Sequence, residues 1–140
     1  MSTRWPLRWA IFIIDLGAVG SVGIKGHEQG GERRCLVVSY EPFHASGRMT
    51  VCPITAERAT PRYPGDVAIP KGEAGQTKDG IILCHQVRTV SVVRIKQTGG
   101  AIGYLTDPDV REQVRFALAQ HLGLDAIAAS DGASGTSVFD

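Results

Sequence analysis

Apolar residues in this chain gather in short runs divided by turn-forming residues. Six such runs, at 9–16, 35–40, 49–54, 67–69, 80–85 and 90–95, are rich in branched side chains. Their length and composition predict strands. A helical period appears only late, in "TDPDVREQVRFALAQHLGLD", where Val110, Val114, Ala117, Leu118, His121 and Leu122 recur on one face. Asp107 is placed to cap that helix, Pro108 to open it and Gly123 to end it. The pattern predicts a mainly β (α+β) chain: short strands curled into a small barrel, followed by one C-terminal helix.

Two segments break the rhythm. Between the first two runs, residues 17–31 hold Gly17, Gly20, Gly23, Gly26, Gly30 and Gly31. A connection this long and glycine-rich reads either as a functional flap or as a tolerated insertion. It is no phosphate-binding P-loop, because Lys25 is followed by Gly26 where that motif needs Ser or Thr. After the helix, residues 125–140 are small and polar with little to pack, and read as a mobile tail. The expected organisation is one domain over 1–124 and a tail over 125–140, with no internal repeat.

Composition narrows the function. The 140 residues suit one core, and the formal charge is only +1. The tail carries three aspartates and no Lys or Arg, so the body holds 15 basic against 11 acidic residues. That balance is compatible with a local phosphate-binding patch. Cys35, Cys52 and Cys84 are odd in number, far apart and set in apolar runs. Buried reduced thiols of a cytoplasmic protein are expected, rather than disulfides or a zinc site. The run from Trp9 ends at Asp15, too short to span a bilayer, so no membrane association is expected.

The stretch "GHEQGGERRCLVVS" concentrates charge at the mouth of an apolar strand. With "CPIT" and "LCHQVRT" it forms three polar clusters that a barrel would bring together. Arg33 and Arg34 are either a solvated pair or a phosphate grip, a task suited to the two-pronged, permanently charged guanidinium. Thr55 is either a strand-end turn residue or a hydroxyl donor to a phosphoryl oxygen. His85 is either a hydrogen-bonded structural residue or a proton-transfer group, its ordinary pKa of about 6.5 allowing both protonation states near neutrality. Glu28 is either a loop charge or a carboxylate that orients or deprotonates a hydroxyl. His27, Glu28, His44 and His85 lack any metal-ligand spacing, so no metal or other cofactor is expected. A G-x-S-x-G elbow is also missing, which lowers an acyl-transfer reading.

The order E-Q-x-G-x-R, P-x-T and x-Q-V-R-T, between "FIIDL" and the terminal helix, resembles the MazF/PemK family of toxin endoribonucleases from roughly residue 10 to 124. The resemblance implies an SH3-like β-barrel, usually a homodimer, that cuts single-stranded RNA selectively and without metal. It gives a 2′,3′-cyclic phosphate and a 5′-hydroxyl. The RNA is mRNA, with tRNA or rRNA as other candidates, and a cognate antitoxin is the expected protein partner. Position by position, the resemblance assigns catalysis to Arg33 and Thr55, with a contribution from Glu28. Proton transfer falls to His85 or Glu28, because arginine is a poor base. RNA contacts are expected from Lys25, Gln29, Arg34, Arg58, Gln86 and Arg88. Trp5, Tyr40, Phe43, Tyr63 and Arg62 are further surfaces for unstacked bases. The chain departs from the family pattern at Arg34, where proline is usual, and at His85, where aspartate is common. "RWA" also replaces the usual Gly-Asp before the first strand. A non-enzymatic barrel toxin of the gyrase-directed CcdB kind is the competing expectation.

Overall fold

A computed structural model describes residues 6–17, 29–96 and 100–124. Lys25, Glu28, His27, Trp5, most of the glycine-rich loop and the tail lie outside the described residues. The strands are β1 (Ala10–Asp15), β2 (Glu32–Val37), β3 (Arg48–Thr55), β4 (Asp66–Ile69), β5 (Gly80–Leu83), β6 (Arg88–Ser91) and β7 (Gly103–Tyr104). A single α-helix among the described residues, α1 (Pro108–His121), follows them.

Pairing is antiparallel throughout, in the order β4-β5-β3-β2-β1-β7, with β6 also on β3. The sheet curls until Ile95 bridges Ile14 and the Lys96 N–H donates to the Ile13 carbonyl at 2.9 Å. Chain β1-β2-β3-β6 thereby returns to its own starting edge. The result is the small SH3-like barrel with a C-terminal helix that the sequence predicts.

Side chains alternate between two cores, as the two-residue period of a strand requires. Phe12, Ile14, Leu16, Cys35, Val37, Met49, Val51 and Val90 fill the inside of the curl. Ile11, Leu36, Cys52 and Ile54 point the other way, against Val67, Ile69, Ile82 and the helix residues Val110, Val114 and Ala117. Both faces of the central strands are covered, which is why they read as nearly continuous apolar runs. Fully burying each such aliphatic side chain contributes about 1.5–3 kcal/mol.

Strand β3 is the shared element, and its proline explains how. Residues Arg48–Val51 pair with β6, whereas Ile54 and Thr55 pair with β5 on the same edge. Pro53 stands at the changeover and has no N–H to offer. Facing β2, Pro53 lies opposite Cys35. The strand can therefore change partners without leaving a donor stranded.

Several boundaries differ from the sequence expectation. Strand β2 starts at Glu32, not Cys35, because Asp15 and Ile14 of β1 pair with Glu32 and Arg33. The two arginines are thus in the strand and not in the loop before it. Residues Cys84–Gln86 and Val92–Arg94 leave the predicted strands as single 3-10 turns. Helix α1 is capped by Asp107, whose carboxylate accepts from the Asp109 N–H at 2.9 Å, and Gly123 follows its end with φ +78°. Its last turn faces out: Leu122, expected on the core face, is 60% exposed. The three cysteines are free and buried, as expected.

Gly80 marks the closest approach of β5 to β3. A Cβ there would sit 2.7 Å from the Thr55 carbonyl oxygen. Overpacking of this kind usually costs 1–3 kcal/mol, so Gly80→Ala is expected to lose about 2 kcal/mol in urea unfolding. An unchanged midpoint would show that the two strands can separate freely there.

Candidate active site at the barrel mouth

The alternation that builds the cores also builds the site. Arg33 lies two residues before Cys35 on β2, and Thr55 two residues after Pro53 on β3. Cys35 and Pro53 are paired. Carrying that register on by two places sets Arg33 across from Thr55, on the face that lines the curl. The apolar filling stops at this end, and polar side chains take over.

Arg33 is half-buried, and its Nε donates to the Gly30 carbonyl at 3.0 Å. Among the described residues its terminal nitrogens carry no hydrogen bond. Thr55 is 7% exposed, and its hydroxyl accepts from the Glu57 N–H at 3.2 Å. Arg88 reaches the same end from β6, donating to the Gln29 carbonyl at 3.3 Å and the Leu16 carbonyl at 3.4 Å. The Gln86 side-chain oxygen accepts from the Gln29 N–H at 2.9 Å. Residues 29, 33, 86 and 88, far apart in sequence, thus gather at one mouth, and the strand register carries Thr55 to the same end.

Cys35 reports the field there. Burial pushes its thiol up to about 12, while the nearby Arg88 and Arg33 guanidinium groups oppose that rise. Both cations are therefore within electrostatic reach of one buried sulfur, and burial favours its protonated form.

Arg34 points the other way. Alternation sends it to the opposite face, where it donates to the Gly75 carbonyl at 3.0 Å and to the Gln76 side chain at 3.3 Å. It ties β2 to the turn before β5 and is not gathered with Arg33.

His85 and Arg58 join a second cluster next to the mouth. Its centre is Asp66, at the start of β4, whose side chain is fully enclosed. Asp66 accepts from both terminal nitrogens of Arg58, from the Arg62 and Tyr63 N–H groups at 2.8 and 2.9 Å, and pairs with His85 Nε2 at 3.2 Å. Burial pushes its pKa up, but the hydrogen bonds from Arg58, the two backbone groups and His85 outweigh it and hold the carboxyl well below the usual range. Gly65 allows the histidine in: a Cβ at that glycine would lie 3.0 Å from the His85 Cβ. Asp66 was not among the sequence candidates. Its only local signal is a carboxylate directly after the turn "YPG", which says nothing of Arg58 or His85.

Other expected residues fall elsewhere. His44 is wholly buried, bonded to Ser39 and to the Pro6 carbonyl, each at 2.5 Å. Tyr40 and Phe43 lie in or beside the 3-10 turn Glu41–Ser46 that leads into β3, at the end of that strand away from Thr55. Among the described residues no three His, Cys, Asp or Glu side chains gather to hold a metal, and no helix is long and apolar enough to cross a membrane.

A curled antiparallel SH3-like sheet with arginines at one mouth is the class of fold seen here, and comparison with known proteins narrows it. Residues 7–122 match the PemK-like, MazF-like toxins of type II toxin-antitoxin systems. The chain belongs to that family. It is 31% identical over 121 residues to the endoribonuclease MazF of Staphylococcus saprophyticus subsp. saprophyticus, covering 86% of this chain and 93% of that one. Among solved structures, MazF from Deinococcus radiodurans superposes with a TM-score of 0.68 at 24% identity, covering 86% and 99% of the two chains. A mycobacterial endoribonuclease in complex with its cognate antitoxin gives 0.64 at 23% identity, covering 85% and 96%.

The Asp66 cluster predicts a pH-dependent stability. A carboxyl depressed by folding stabilises the protein at pH values above its unfolded value of about 3.9. That contribution is lost as pH falls toward the lower folded value. Asp66→Asn is expected to cost about 2 kcal/mol at pH 7, with the gap to the parent shrinking below pH 4. Denaturant unfolding at pH 7 and pH 3 measures both numbers; a gap of constant size would contradict the assigned role of the charge.

Proposed function

We propose that this chain, a MazF-like toxin endoribonuclease, cuts single-stranded RNA at the barrel mouth by attack of a ribose 2′-hydroxyl on the adjacent phosphorus. The products are a 2′,3′-cyclic phosphate and a 5′-hydroxyl. One observation carries the reading: Arg33 and Thr55 share one face of adjoining strands at a mouth that also holds Arg88, Gln29 and Gln86.

The reaction adds negative charge to the phosphoryl oxygens, and Arg33 supplies fixed positive charge with terminal donors that carry no hydrogen bond among the described residues. Nε, bonded to Gly30, holds the guanidinium in place before substrate arrives. Thr55 already accepts one hydrogen bond, so its own proton is what it offers to a phosphoryl oxygen. Such prepositioned donors are worth about 3 kcal/mol each in the transition state. Arg88, Gln29 and Gln86 line the approach of the strand, with Lys25 as a further contact.

Proton transfer from the 2′-oxygen and to the leaving 5′-oxygen needs a group other than arginine. We assign it to His85 or Glu28. With Nε2 donating to Asp66, His85 keeps Nδ1 as its acceptor. No metal ion enters this scheme. The active form is a homodimer in the cytoplasm, and a cognate antitoxin occupies the RNA path. Arg34 contributes by fixing β2, and Arg58 through the Asp66 cluster.

Purified protein incubated with mixed single-stranded RNA in EDTA is expected to give cuts at a short recurring sequence, with cyclic phosphate ends. Arg33→Ala is expected to lower the rate about 10²- to 10³-fold. Full activity in that variant, or RNA left intact by the parent, would remove the reading. For His85→Ala, a loss of about 10²-fold or more with an altered pH–rate profile is expected; an unchanged rate and profile would leave proton transfer to Glu28.

A further inference from the structure

Tyr63 combines two properties that seldom occur together. The residue is 55% exposed, yet its ring is contacted from two sides and its backbone is tied down. The Arg58 guanidinium carbon lies 5.3 Å from the ring centroid, and the His85 ring meets it edge-on at 6.3 Å and 81°. Its own backbone N–H is bonded to Asp66 at 2.9 Å. Arg58 and His85 are themselves fastened to Asp66, so one enclosed carboxylate fixes every support of an exposed ring.

A ring immobilised before a ligand arrives spares the ligand that ordering cost. The surroundings indicate which ligand. Arg58 and Arg62 are cationic, and the carboxylate they hold, Asp66, is enclosed and already paired. The ring stands in the connection that begins directly after Thr55, and His85 is the chain neighbour of Gln86, which closes on Gln29. The Tyr63 cluster is thus tied to the mouth through Thr55 and Gln86. An aromatic face beside cations is how proteins seat unpaired bases along a phosphate backbone.

We propose that Tyr63, clamped by Arg58 and His85 on Asp66, is a stacking seat for one unpaired nucleobase of single-stranded RNA flanking the cleaved phosphodiester. This inference rests on the reading of the mouth as an RNA-cleaving site. Stacking needs a base free of its helical neighbours, so the seat favours single strands over duplex.

The test is fluorescence anisotropy with a labelled pool of mixed-sequence single-stranded RNA, 2′-O-methylated throughout so that no 2′-oxygen can attack. The proteins are the full chain and its Tyr63→Ala, Tyr63→Phe and Tyr63→Trp variants. Tyr63→Ala is expected to weaken binding about 10-fold, while Phe stays within about twofold and Trp binds at least as tightly. Equal affinity in Tyr63→Ala would overturn the seat. So would a Tyr63→Phe loss as large as that of alanine, which would trace the contact to the hydroxyl. Cutting of unmodified RNA is scored in parallel. Tyr63-dependent binding by a protein that leaves RNA uncut keeps the seat and removes the nuclease reading; cutting without Tyr63-dependent binding does the reverse.

Discussion

One strand has to serve two partners along a single edge, and the rest of the molecule is arranged around that constraint. Strand β3 pairs with β6 over its first half and with β5 at its end, while β2 runs along its other side. A residue with a backbone donor at the changeover would leave that donor without a partner in a dry interior, a cost of about 1–3 kcal/mol. Pro53 removes the donor. The barrel can then close through β6 and Ile95 while the β4–β5 hairpin and α1 cover the outer face. Thr55, two residues on, is delivered to the mouth by the same turn of partners.

The mouth follows from where the apolar filling runs out. Inside the curl, alternate residues of β1, β2 and β3 are aliphatic or aromatic up to Leu16, Cys35 and Pro53. Beyond these positions the same face carries Arg33 and Thr55. The guanidinium of Arg33 is held by a backbone carbonyl, and that of Arg88 by two, and among the described residues neither is paired with a carboxylate. Asp66 is the opposite case, a carboxylate enclosed and spent on Arg58, His85 and two backbone groups. Two neighbouring clusters thus hold their charge differently: positive charge is left available at the mouth, and negative charge is consumed beside it.

Much of this architecture is legible in the chain itself. The strand runs, the helix with its Asp107 cap and Gly123 stop, and the buried thiols all follow from local pattern. Expectation and structure part where pairing decides. Arg33 and Arg34 read as a pair ahead of the strand, solvated or gripping phosphate, because nothing in "GGERR" favours a strand, yet their partners in β1 draw them into β2. Once they are in a strand, alternation separates them, one to the mouth and one to Gly75 and Gln76. Leu122 reads as a core position, but α1 ends at His121, and among the described residues Leu122 stays 60% exposed.

By itself the sequence determined which segments are apolar enough to become strands, which residues start and stop the helix, and which side chains carry chemistry worth gathering. These depend on residues within a few positions of one another. Only the tertiary structure decided that Asp66 anchors Arg58, His85 and Tyr63, that Gln29 meets Gln86 and Arg88, and which arginine of an adjacent pair faces the mouth. Such contacts join residues up to 59 positions apart, and their geometry is set by strand register and closure, for which no local pattern of residues supplies the information.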